Sequence, residues 1–88
     1  MFKTDIDLQT ELVKNVCTGF FFWCNDNGTN LYRELNQKGK VSRSCIYRVM
    51  KGERKYLPLK ALGHLASKTN LSIAELAQYK PKNSVANI

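Results

Sequence analysis

The chain has 88 residues, 43% of them hydrophobic, and a formal net charge of +7, which together predict one small folded domain. Its longest strongly apolar stretch, Val16 to Cys24, is shorter than the roughly 20 residues of a membrane helix. Three acidic residues occupy the first eleven positions, where a signal peptide would be basic and then apolar, so we expect a cytoplasmic protein that spans no membrane.

The first predicted helix runs from about Ile6 to Cys24. Its apolar residues recur at spacings of three and four, and Asp5 is the expected N-cap. The stretch from Asn25 to Gly28 then ends the helix with residues typical of turns.

The second predicted helix starts at about Leu31, capped by Thr29 or Asn30, and ends near Gly39. Leu31 and Leu35 are one turn apart and are expected to face the core. Ser42 is the expected N-cap of a third helix, to about residue 51, whose narrow apolar stripe is Ile46, Val49 and Met50. Gly52 stands where a left-handed residue would close that helix.

Two further helices complete the prediction. Pro58 favours the start of a fourth helix, whose apolar face ends before Thr69 and Asn70. Ser72 and Glu75 have the spacing of a capping box, which predicts a short fifth helix. We therefore expect one domain over residues 1–80 and a flexible tail over 81–88, and we see no alternation that indicates a strand.

The positive charge is concentrated in one segment, Lys38 to Lys60. It contains eight basic residues against a single acid, Glu53, whereas the six bases elsewhere are matched by six acids. A solvated surface would mix both signs, so this segment is typical of a protein that binds a polyanion.

Few residues suit metal or catalytic chemistry. The three cysteines (Cys17, Cys24 and Cys45) form no Cys-x-x-Cys pair, and together with the one histidine, His64, they match no zinc spacing. Phosphate-loop, dinucleotide-binding and zinc-protease motifs are absent from the sequence. We expect free thiols, of which Cys45 is half-buried, and no metal, cofactor, small-molecule substrate or enzymatic activity.

The segment from Glu34 to Val49, and most specifically Val41 to Arg48, resembles the helix-turn-helix of the Cro and lambda-repressor-like superfamily. The resemblance extends over about Asn30 to Tyr79. It implies an all-α, compact five-helix lambda-repressor-like domain, here with an extended N-terminal helix. The chain departs from the family pattern at Asn36, where a small Ala is usual, and at Lys40, where Gly is usual in the turn.

The resemblance implies a sequence-specific regulator of transcription, of the phage or prophage repressor type, which binds a palindromic operator in double-stranded DNA as a homodimer. A recognition helix, about 42–51, would enter the major groove. The residues expected to contact base edges are Arg43, Ser44, Tyr47 and Arg48. The residues expected to contact phosphates are Lys40, Ser42, Lys51, Arg54, Lys55 and Tyr56.

Four consecutive aromatic residues, Phe20 to Trp23, spread around nearly the whole circumference of a helix. One interpretation is a thick aromatic core anchored by Phe20 and Trp23. Another is that Phe21 and Phe22 form a two-fold dimer contact. A third, in another functional class, is a protein-interaction module, such as an antirepressor or an antitoxin-like partner, that uses this cluster to bind a protein.

Overall fold

The computed structural model describes residues 5–35 and 41–81, and over these residues the chain forms helices and no strand. Four helices are named here by their place in the chain. They are the N-terminal helix (Asp5–Asp26), the basic helix (Arg43–Met50), the Pro-capped helix (Leu59–Thr69) and the C-terminal helix (Ile73–Ala77). A four-residue helical turn, Leu31–Glu34, lies between the first two.

The expectation of a five-helix lambda-repressor-like domain is wrong, because the described residues form four helices and the second predicted helix is a single turn. Asn30, not Thr29, caps this turn by accepting a hydrogen bond from the backbone N–H of Arg33 at 2.9 Å. Leu35 follows with φ −111° and ψ 20°, which departs from helical geometry. Residues 36–40 and 82–88 lie outside the described residues, so the expectations for Asn36, Lys40 and the tail stay predictions.

The N-terminal helix forms one wall of the core and contacts each of the other three helices. Its buried side chains follow the helical period along one face: Val13, Val16, Cys17, Phe20 and Cys24. The helix begins at Asp5, the residue predicted as its cap, and ends at Asp26, two residues later than predicted. None of the helices in the described part of the chain combines the length and apolarity needed to cross a bilayer.

The C-terminal helix packs directly against the N-terminal helix. Gly19 is buried at this crossing, and the phenol of Tyr79 donates a 2.6 Å hydrogen bond to Oδ2 of Asp26. The predicted capping box is confirmed, because the Ser72 hydroxyl accepts from the N–H of Glu75 and the Glu75 carboxylate accepts from the N–H of Ser72, each at 3.0 Å. The hydrogen bond from the Ser72 backbone lowers the pKa of Glu75.

Candidate nucleic-acid interface

The basic helix is held on the domain by its inner face. Ile46 and Val49 are 0% and 2% exposed and pack in the same core as the N-terminal helix. At its start, Ser42 has an extended backbone, and its hydroxyl oxygen accepts a 3.2 Å hydrogen bond from the N–H of Cys45. The predicted cap and apolar stripe are therefore confirmed, and the opposite face of the helix is left to solvent.

The basic helix ends in a left-handed glycine. Gly52 has φ +82°, and its N–H donates to the carbonyl of Val49 at 3.0 Å. The N–H of Glu53 donates to the carbonyl of Arg48 at 2.8 Å, which completes a Schellman motif. This confirms the predicted role of Gly52. After the motif the chain turns back toward the helix, since the N–H of Arg54 also donates to the carbonyl of Arg48 at 3.2 Å.

The side chains predicted to contact bases form one continuous exposed surface. Arg43, Ser44, Tyr47 and Arg48 are all exposed, and their separations of three and four residues make them neighbours on the helix. Tyr47 is 40% exposed and presents part of its ring to solvent. The structure therefore places these four residues together on the side of the helix that faces away from the core.

Of the residues predicted to contact phosphates, those that the structure describes stand at the two ends of the basic helix and in the loop after it, with Ser42 as the N-cap of the helix and Lys51 as its C-cap. Ser42, Lys51, Arg54, Lys55 and Tyr56 are exposed, whereas Lys40 lies outside the described residues. The hydroxyl oxygen of Ser42 accepts the hydrogen bond of the helix cap, and the hydroxyl can still donate its proton to a phosphate oxygen. We refer to the exposed surface formed by residues 42–44, 47, 48, 51 and 54–56 as the basic face.

Arg54 is fixed in place by two contacts that the sequence did not predict. Its Nε donates to the carbonyl oxygen of Tyr56 at 2.9 Å, and its Nη1 lies 3.3 Å from Sγ of Cys45. The guanidinium thus joins the loop after the basic helix to the first turn of that helix. Neither contact is with a carboxylate, so the Arg54 guanidinium keeps its positive charge unneutralised by these two partners.

The three thiols differ in their environments. Burial raises the pKa of Cys17 and of Cys24 to about 12, so both are kept protonated. Cys45 is half-buried, as predicted, and its pKa is lowered by a hydrogen bond with the Ser42 side chain and by the charges of Arg54 and Arg48. Within the described ranges, no three His, Cys, Asp or Glu side chains converge as metal ligands would.

The aromatic cluster divides between the core and the basic face. Phe20 is fully buried and stacks on Trp23, with ring centroids 6.3 Å apart, which confirms the aromatic-core interpretation of these two residues. Phe21 and Phe22 are half-buried and 6.0 Å apart, and the dimer contact predicted for them stays a prediction. Phe21 also meets Tyr47 edge-on, with centroids 6.5 Å apart and planes at 64°. No sequence spacing indicated this contact.

The basic face can donate hydrogen bonds to a ligand rich in acceptors: its guanidinium, ammonium and hydroxyl groups are exposed on a helix whose inner side is anchored in the core. Comparison of the chain with protein-family models, with curated proteins and with solved structures found no match to any of the three.

Proposed function

We propose that this protein binds double-stranded DNA in a sequence-specific manner and regulates transcription as a repressor. The observation that carries the proposal is the basic helix itself. It is anchored by Ile46 and Val49, and it presents Arg43, Ser44, Tyr47 and Arg48 together on its outer side. A helix that reads a major groove needs both an apolar anchor and an outer face of hydrogen-bond donors.

The dimensions and charge of the basic face support duplex DNA as the ligand. A helix with its side chains is about 10–12 Å across, so the basic helix fits the B-DNA major groove, which is about 12 Å wide. Arg43 and Arg48 suit bidentate contact with guanine. Lys51, Arg54 and Lys55 lie beside the helix, where they would contact phosphates along the groove.

The proposal includes the setting in which the protein acts. We propose that it acts in the cytoplasm or nucleoid of a bacterium or an infected host cell, where occupancy of an operator would exclude polymerase. We also propose that two copies bind one palindromic site through the half-buried Phe21 and Phe22. If the double variant Phe21→Ser and Phe22→Ser keeps the mass of the wild type in sedimentation, this dimer contact is ruled out.

The experiment that tests DNA binding is selection from a pool of random duplexes at increasing salt, followed by affinity measurements on the selected duplex. The double variant Arg43→Gln and Arg48→Gln should bind that duplex about 10- to 100-fold more weakly, the effect of losing one good base contact or more. The double variant Lys14→Gln and Lys80→Gln removes the same charge from exposed positions outside the basic face and is the matched control.

Two results would overturn the proposal. One is recovery of no common motif together with binding that fades steeply as salt rises, which would reduce the basic face to a nonspecific polyanion site. The other is an equal loss of affinity in the arginine and lysine double variants, which would show that net charge alone governs binding. The interaction-module hypothesis would then take precedence, and its surface would exclude the buried Phe20.

A further inference from the structure

The contact between Phe21 and Tyr47 joins the N-terminal helix to the basic face. Tyr47 is one of the residues proposed to read bases, and Phe21 lies in the half-buried part of the aromatic cluster. The 6.5 Å separation and the 64° angle of the two rings are those of a favourable edge-to-face pair. Phe22 packs against Phe21 from the same helix at 6.0 Å.

The pairing restricts a side chain that would otherwise be mobile. Tyr47 is 40% exposed, so solvent alone would leave its ring free to change rotamer. Phe21 is supported by the core cluster and supplies a fixed surface against one side of that ring. A contact residue that is already ordered loses less conformational entropy on binding, and it meets the ligand in one geometry.

The position of Tyr47 on the basic helix makes this restriction relevant to sequence readout. Arg43 precedes it by four residues and Ser44 by three, so the tyrosine shares one exposed surface with both. A tyrosine there can present its ring to a thymine methyl group and its hydroxyl to a base edge. Both contacts depend strongly on where the ring lies.

We infer that Phe21 is a positioning residue of the DNA interface, which holds the Tyr47 ring in the orientation in which it discriminates between bases. The inference rests on the proposed function and assigns part of the sequence specificity to a residue outside the basic helix. Phe21 acts through Tyr47 and need not touch DNA.

A double-mutant cycle tests the inference. Phe21→Leu and Tyr47→Leu are each expected to weaken binding to the selected duplex by about three- to tenfold, and the double variant should bind no more weakly than Tyr47→Leu. Phe21→Tyr retains an aromatic ring at this position and should bind the selected duplex with wild-type affinity. Leu12→Ala is the control, since it shortens an exposed apolar side chain of the same helix outside the aromatic cluster, and should change affinity by less than about twofold.

Two further readouts separate positioning from a general loss of structure. Affinities for single-base variants of the duplex should show relaxed preference at one base pair in Phe21→Leu, whereas a partly unfolded protein would lose affinity equally for all sequences. In the free protein, Phe21→Leu should also shift the Tyr47 ring resonances in NMR spectra, because the neighbouring ring current is removed.

The outcomes are distinguishable. If the wild-type protein selects duplexes and the arginine variants bind weakly, but Phe21→Leu and Tyr47→Leu are additive, Phe21 is not a positioning residue and the proposed function stands. Unchanged base preference in Phe21→Leu leads to the same conclusion. If the wild type selects no duplex, the proposed function and this inference are both overturned.

Discussion

An ideal Cβ atom placed on Gly19 lies 1.9 Å from the carbonyl oxygen of Leu76, so the N-terminal and C-terminal helices cross almost backbone to backbone. Only a residue without a side chain fits this crossing. The N-terminal helix that makes this crossing also contacts the basic helix. The stability of the basic face therefore depends on a glycine far from it in sequence.

Gly19→Ala should destabilise the protein. The added methyl group would overlap a backbone oxygen, so one helix must move, and overpacking of this kind costs about 1–3 kcal/mol. Urea unfolding followed by circular dichroism measures the difference. Gly63→Ala is the matched control, because Gly63 lies inside the Pro-capped helix and no neighbouring atom lies within 4 Å of its Cβ position.

The control should change in the opposite direction. Alanine in a helix interior is favoured over glycine by about 0.5–1 kcal/mol, so Gly63→Ala should raise the free energy of unfolding. A Gly19→Ala variant as stable as the wild type would mean that the two helices do not approach as closely as the structure shows.

The features that the sequence predicted correctly are local ones. Ser42, Gly52 and the pair Ser72 and Glu75 act within one turn of their own helix ends, and residue type together with spacing is enough to identify them. The outward surface of the basic helix followed from its narrow apolar stripe. These elements depend on short-range hydrogen bonds, which a pattern of neighbouring residues can encode.

The features that the sequence did not predict are contacts between distant segments. Gly19 with Leu76, Asp26 with Tyr79, and Phe21 with Tyr47 join residues that no periodicity relates. The length of the helix expected after Asn30 was also overestimated, because the helical turn there ends at Glu34. Leu31 and Leu35 are both buried as predicted, but one turn is enough to place them in the core, and the apolar spacing did not indicate where that turn would end.

Cys45 should be the first of the three thiols to react with iodoacetamide in the folded protein. The thiolate is the reactive form, and the pKa of Cys45 is lowered by Ser42, Arg54 and Arg48, whereas burial raises that of Cys17 and Cys24 to about 12. Intact-mass measurement should show one adduct, assigned to Cys45 by peptide mapping, and three adducts after denaturation.

The selected duplex should slow this reaction, because Cys45 lies next to Arg54 at the edge of the basic face. Cys45→Ser removes the reactive thiol and should leave the folded protein unmodified under the same conditions. Equal rates of modification at Cys17 or Cys24 would contradict the burial that the structure assigns to them.

Tyr79→Phe should lower stability by about 1 kcal/mol at neutral pH, since it removes a partly exposed hydrogen bond to a carboxylate. That hydrogen bond raises the pKa of Tyr79 from 10.0 to about 12. The folded state therefore retains the phenol proton where the unfolded chain has lost it. The contribution is fully present below pH 10 and is lost as the pH rises from 10 to about 12.

Urea unfolding at a series of pH values measures this dependence. The stability difference between the wild type and Tyr79→Phe should be constant from pH 7 to 9 and should shrink above pH 10. Tyr56→Phe is the control, because it removes a hydroxyl from an exposed tyrosine and should follow the wild type throughout. A difference that grows with pH would contradict the assigned hydrogen bond.

Gly52→Ala separates the stability of the fold from the geometry of the basic face. Gly52 and Gly28 have φ +82° and +69°, and no neighbouring atom lies within 4 Å of the Cβ position of either. Alanine at each should therefore cost a similar amount, about 1–2 kcal/mol, through left-handed strain alone. Only Gly52 closes the basic helix and directs the chain toward Arg54 and Lys55.

The two variants should thus be equally destabilised but should differ in DNA binding. At a temperature where both are folded, Gly52→Ala should bind the selected duplex several-fold more weakly and show a shallower dependence of affinity on salt, because phosphate contacts after the helix are displaced. Gly28→Ala should bind as the wild type does. If both variants bind equally well, the loop after the basic helix contributes no phosphate contacts, and the basic face is limited to the helix itself.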